Sequence, residues 1–128
     1  MIDLLFVYGT LLDEKNKYGA FLRQNSVLLA SAKLKAKLFD LGDYPGAVLH
    51  PDGTNEVQGV LLKMEDPEKV MGILDIYEGF GIDQPQPNEF VRILTEVETD
   101  QVAVLSWVYV YNLSVENLMP LIAQTNPD

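Results

Sequence analysis

The run Leu4-Leu5-Phe6-Val7-Tyr8, stopping at Gly9-Thr10, constrains this chain more than any other segment. Five apolar or aromatic residues in succession leave no polar face for water, so a strand built from them must be covered on both sides. The run therefore predicts a central strand with a layer on each face and a sharp turn at its end. It is too short for a membrane span. No basic segment precedes it, so it does not read as a signal peptide either.

The rest of the chain has to supply the cover. With 128 residues, 48% of them apolar, the sequence predicts a single domain over residues 1–128 with a real core. Tyr18, Phe21 and Leu22 recur at helical spacing. From Lys33 to Leu38, lysines at 33, 35 and 37 alternate with Leu34, Ala36 and Leu38, giving a strand with one cationic and one apolar face. The cationic face reads as solvated strand surface or, alternatively, as an anion-binding stripe. A loop of turn formers spans 40–46. Ala47 to His50 and Val57 to Leu62 are strand-like and are separated by Pro51-Asp-Gly-Thr54, which reads as a hairpin or a compact loop.

Asp66-Pro67-Glu68 carries the signals of a helix start: an N-cap acceptor, a proline at the first helical position and an acid at the positive end of the dipole. Val70, Ile73, Leu74 and Tyr77 then fall on one stripe, and Gly79 and Gly81 end the helix. A Pro-rich stretch, 82–89, reads as an exposed flap. Val91 to Glu98 and Val102 to Tyr111 form a last strand pair, and Ser114 is expected to cap a final helix holding Leu118, Met119 and Ile122. About six grouped strands and three short helices make an α+β domain whose sheet is curled or closed.

Composition removes whole classes of chemistry. There is no cysteine, hence no disulfide, thiolate nucleophile or Cys-ligated zinc, and the single His50 has no second imidazole, so the clustered ligands of most transition-metal sites are missing, while a hard-ion site built from carboxylates stays open without a signal for it. A cytoplasmic location is the expectation. Nine Lys and Arg against nineteen Asp and Glu leave a net charge of −10, which repels nucleic acid and anionic membrane and favours a small-molecule ligand. The expected state is a monomer or weak homodimer.

Two positions point to chemistry. Glu78 lies at i+8 from Val70, on the edge of the apolar stripe and at the negative end of the helix dipole, where desolvation and the dipole both disfavour its charge. A carboxyl so raised is a usable proton shuttle near neutral pH; the other reading is a boundary residue that bends to water or pairs with Arg92. The strand end Tyr8-Gly9-Thr10-Leu11 permits consecutive backbone amides to converge on an anion, or is a plain turn. Tyr44, Tyr77, Tyr109 and Tyr111 read as core or rim aromatics.

Taken in order, Tyr8-Gly9-Thr10-Leu11, Tyr44-Pro45-Gly46, Leu74-Asp75-Ile76-Tyr77-Glu78-Gly79, Arg92 and Tyr109-Val110-Tyr111 resemble the gamma-glutamylcyclotransferase-like family. The resemblance implies a small mixed β-barrel with flanking helices and an enzyme that cyclises a gamma-glutamyl amine or peptide to 5-oxoproline, releasing the amine without metal or cofactor. It implies Glu78 as the catalytic acid/base. It also implies Tyr8, Gly9, Thr10, Leu11, Tyr44, Gly46, Arg92 and Tyr111 as residues around the glutamyl group. Two positions depart from the family pattern: Phe90 stands where Tyr is usual in Tyr-x-Arg, and Val60 follows Gly59 where Glu is common. A non-catalytic binding domain for a glutamyl-like ligand is the alternative.

Overall fold

The computed structural model describes residues 1–13, 15–100 and 102–121. Its elements are β1 (Leu4–Val7), a 3₁₀ turn (Gly9–Leu12), α1 (Lys17–Gln24), β2 (Ser26–Asp40), β3 (Pro45–Leu49), β4 (Glu56–Met64), α2 (Pro67–Glu78), β5 (Phe90–Glu98), β6 (Ala103–Tyr111) and β7 (Pro120–Leu121). The strand order is β3-β2-β4-β1-β6-β5, and β5 returns to β2 through Lys33 and Glu98. Strands β2, β4, β1, β6 and β5 thus close a five-stranded barrel. The mixed α+β barrel expected from the sequence is the architecture found.

Closure explains the first apolar run. Phe6 points into the barrel with Leu34, Val57, Leu61, Val97 and Val108, while Leu5 and Val7 point outward beneath Leu11, Leu22, Val70, Met71 and Leu74 of the 3₁₀ turn and helices. Strand β1 therefore has an apolar layer on each face. It pairs antiparallel with β4, placing Phe6 opposite Leu61, and parallel with β6, placing Leu5 opposite Trp107. Gly59 of β4 is dictated by this packing: a Cβ there would sit 2.7 Å from the Phe6 ring and 2.3 Å from the Val7 carbonyl oxygen.

Strand β2 is longer than its lysine alternation suggests. Lys33, Lys35 and Lys37 face solvent and Leu34, Ala36 and Leu38 are buried, as expected. The strand begins at Ser26, however, and carries a bulge between Leu28 and Ala30 that destroys the two-residue period on which its recognition depends. β3 and β4 lie on opposite edges of β2, so residues 51–54 are a compact crossover rather than a hairpin turn. The helix expected after Ser114 is not formed by the described residues. Leu118 closes a turn onto the Val115 carbonyl (3.0 Å), and β7 pairs with Leu38 and Phe39; Ile122 lies outside the described residues. Pro120 accounts for the difference, because within a helix it would lack a donor and clash with the preceding turn. Among the described residues no helix is long and apolar enough to cross a membrane.

Candidate active site

Where β1 ends, the barrel opens into a cavity of about 130 Å³. Phe6, Val7 and Tyr8 of the β1 end, Thr10 and Leu11 of the 3₁₀ turn, and Tyr44 and Pro45 before β3 form one side of the wall. Tyr77 and Glu78 from the end of α2, Glu89 and Phe90 from the start of β5, and Tyr109 of β6 complete it.

Glu78 reaches this wall because α2 begins and ends where the sequence says. Asp66 accepts from the Lys69 amide (3.3 Å), Pro67 takes the first turn, and Gly79 adopts a left-handed conformation (φ 75°, ψ 31°) that only glycine takes without strain. The Phe80 amide then bonds the Asp75 carbonyl (2.9 Å), turning the chain away immediately after Glu78. Burial first, then the negative charges of Glu89 and Asp75, push the Glu78 carboxyl up to about 8. Glu78 does not pair with Arg92.

Arg92 is committed to Asp75. Its Nε and Nη2 donate to the two oxygens of that carboxylate at 2.8 and 3.0 Å, and its guanidinium lies 4.6 Å from the Trp107 ring centre and 5.5 Å from that of Phe80. The Asp75 bond raises the Arg92 pKa above its ordinary value. Tyr109 adds a third bond, its hydroxyl donating to Asp75 Oδ1 at 2.7 Å; burial and this bond push the Tyr109 phenol well up. The network fixes the helix turn that carries Glu78, since Asp75 and Glu78 are three residues apart on one face.

Two more tyrosines tie the wall together. The Tyr8 hydroxyl donates to the Tyr109 carbonyl (2.7 Å) and accepts from the Ala47 amide (3.1 Å), so β1, β3 and β6 meet at one oxygen whose phenol burial holds protonated. The Tyr77 hydroxyl lies 2.9 Å from Thr10 Oγ1 and accepts from Asn16 Nδ2 at 3.0 Å, joining α2 to the 3₁₀ turn and to the residue that caps α1.

Of the residues singled out in the sequence, Tyr8, Thr10, Leu11, Tyr44 and Glu78 come together in the cavity wall. Gly9, Gly46, Arg92 and Tyr111 do not line it. Gly9 makes the turn (φ 76°) against Pro45, and Gly46 is buried where a Cβ would come within 2.7 Å of Leu41 and 3.0 Å of Tyr111. The Tyr111 ring packs edge-on to Phe90, centres 5.5 Å apart.

Glu89 is the charged wall residue that sequence reasoning missed. The Tyr44 hydroxyl donates to its Oε2 at 2.6 Å, and Tyr44 is pushed up to about 12 chiefly by that bond. The main chain is fixed too, the Asn112 amide donating to the Glu89 carbonyl at 2.8 Å. Two carboxylates and no Lys, Arg or His therefore line the cavity. Among the described residues no group of three His, Asp or Glu side chains is placed to hold a metal ion.

The sequence matches the family described as "Gamma-glutamyl cyclotransferase, AIG2-like" over residues 5–126. No curated protein matches it. Among solved structures it is similar to YkqA from Bacillus subtilis, at 28% identity and a TM-score of 0.66, over 89% of this chain and 37% of that one. The chain thus spans little more than a third of YkqA. It is also similar to YtfP from Escherichia coli (28% identity, TM-score 0.63, 92% and 90% of the two chains). An AIG2-like protein from Mus musculus shares the fold at 18% identity, TM-score 0.65, over 84% and 76% of the two chains. Barrel, cavity and a family match over nearly the whole sequence agree, and the chain belongs to the gamma-glutamyl cyclotransferase, AIG2-like family.

Proposed function

We propose that this protein cyclises a gamma-glutamyl amine or peptide to 5-oxoproline and releases the amine, with Glu78 as general acid and base. The observation that carries this reading is the Glu78 carboxyl in the cavity wall, raised by burial and like charge to about 8, close to the pH at which a proton shuttle works best.

The substrate supplies its own nucleophile. Its α-nitrogen enters as an ammonium, gives a proton to ionised Glu78 and attacks its own γ-carbonyl; Glu78 returns that proton to the departing nitrogen as the Cγ–N bond breaks. The second proton on the new ring nitrogen follows the same route to the released amine. Two protons leave one nitrogen and two arrive on the other, so the account closes with Glu78 alone as carrier. Folding the substrate so that its amine meets its carbonyl lowers the barrier as effective molarity does, by up to about 7–11 kcal/mol in well-oriented cases. The amides of Gly9 and Thr10, which open the 3₁₀ turn ahead of its first i→i+3 bond, suit a carboxylate or an oxyanion.

Glu78→Gln keeps the shape and removes the shuttle. Release of 5-oxoproline from a panel of gamma-glutamyl amines and dipeptides, followed by mass spectrometry, is expected to fall at least about a hundredfold in this variant. An unchanged rate overturns the role of Glu78. The second reading is a binding domain for a glutamyl-like ligand, favoured by Phe90, which puts a ring without a hydroxyl into the wall where the family pattern carries Tyr. Ligand binding by wild-type protein with no release from any member of the panel decides for it.

A further inference from the structure

Resting on the reading of a gamma-glutamyl substrate, we propose that Glu89, tethered by Tyr44, is the carboxylate that receives the substrate's α-ammonium group. Three observations carry this. Glu89 and Glu78 share one small cavity with no basic side chain in its wall, and two neighbouring carboxylates are costly to ionise together, as the mechanism requires of Glu78, unless a cation joins them. The Tyr44 hydroxyl occupies Oε2 alone, leaving Oε1 without a hydrogen-bond donor among the described residues. The Glu89 carbonyl is held by the Asn112 amide and its side chain by Tyr44, so the carboxylate is presented from a fixed backbone.

The chemistry asks for such a group. Glu78 takes up and gives back a proton twice during turnover and cannot hold the ammonium throughout, whereas a second carboxylate that carries none of the transferred protons keeps the nitrogen in place for the attack. Other charged or titratable groups nearby are already engaged: Asp75 holds Arg92 and Tyr109, and the Tyr8 hydroxyl is used between β3 and β6. Tyr111, packed edge-on against Phe90, is outside the wall. Glu89 is also the second cause of the raised Glu78 pKa, so its removal lets Glu78 ionise at lower pH.

The test separates this assignment from the cyclisation itself. In Glu78→Gln protein, calorimetry compares N-propyl-γ-glutamylamide with N-propylglutaramate, which keeps the carboxylate and the amide and lacks only the α-ammonium group. The ammonium ligand is expected to bind about tenfold or more tightly, and adding Glu89→Gln is expected to bring the two within about twofold. A preference that survives Glu89→Gln, no preference in Glu78→Gln protein, or failure of both ligands to bind overturns the assignment. Circular dichroism checks folding. Should the double variant not fold, Tyr44→Phe on the Glu78→Gln background carries the test: loosening of Glu89 is expected to cut the preference about threefold, and an unchanged preference overturns the assignment. Absence of 5-oxoproline release by wild-type protein beside a Glu89-dependent preference retires the cyclisation and keeps the ammonium site.

Discussion

At the scale of single residues, Glu78 sets a pH dependence whose sign can be worked out. Its carboxyl titrates near 4.5 when unfolded and near 8 in the fold, so between those values the folded state holds a proton that the unfolded state has lost. The Glu78 contribution to stability is complete below about pH 4.5 and is lost as pH rises through 8, a loss on the order of 3–5 kcal/mol. Glu78→Gln has no such proton to lose. Urea unfolding at pH 5 and pH 8.5 is expected to show the variant gaining on wild type with rising pH; parallel curves refute the raised pKa. Glu78 was legible in the sequence because its position depends on one helix and its end. Glu89 was not, because only the pairing of β5 with β6 and the Asn112 amide bring a loop end to the cavity. The sequence likewise could not say which acid Arg92 meets, since Asp75 and Glu78 lie on the same face of α2.

At the scale of elements, α2 is held at both ends by its own sequence and from the side by β5 and β6 through Asp75. Arg92 and Asp75 side chains are only 17% and 20% exposed, so breaking the pair leaves a carboxylate poorly solvated. Arg92→Leu is expected to destabilise the fold by about 2–3 kcal/mol, read as a lower urea midpoint with unchanged m-value. A midpoint within about 0.5 kcal/mol of wild type would mean that Asp75 finds water or Tyr109 sufficient. Helices α1 and α2 and the β5–β6 pair were readable because caps, periods and turns are local. The first half of β2 and the segment after Ser114 were not. A bulge hides the one, and the other is a short strand that exists only because β2 offers an edge at Leu38 and Phe39.

At the scale of the whole molecule, nineteen acids against nine bases gather self-repulsion that the compact state feels more than the unfolded chain. Raising salt from about 0.01 to about 0.15 M shortens the Debye length from about 30 to about 8 Å, and the melting temperature is expected to rise by about 2–5 °C; a fall would show that specific ion pairs outweigh the net charge. The other whole-molecule property is the closing of the barrel by strands from opposite ends of the sequence. β1 runs parallel to β6, Trp107 Nε1 bonds the Ile2 carbonyl across 105 positions, and Tyr8 reaches Tyr109 across 101. During synthesis β1 therefore waits, apolar on both faces and open along one edge, until β6 has left the ribosome. A chain arrested before Ala103 lacks Tyr109, and with it both the lock on Tyr8 and one anchor of Asp75. The cavity is a late event in the life of each molecule: the ribosome cannot release a fragment short of β6 that already has the whole wall of the pocket.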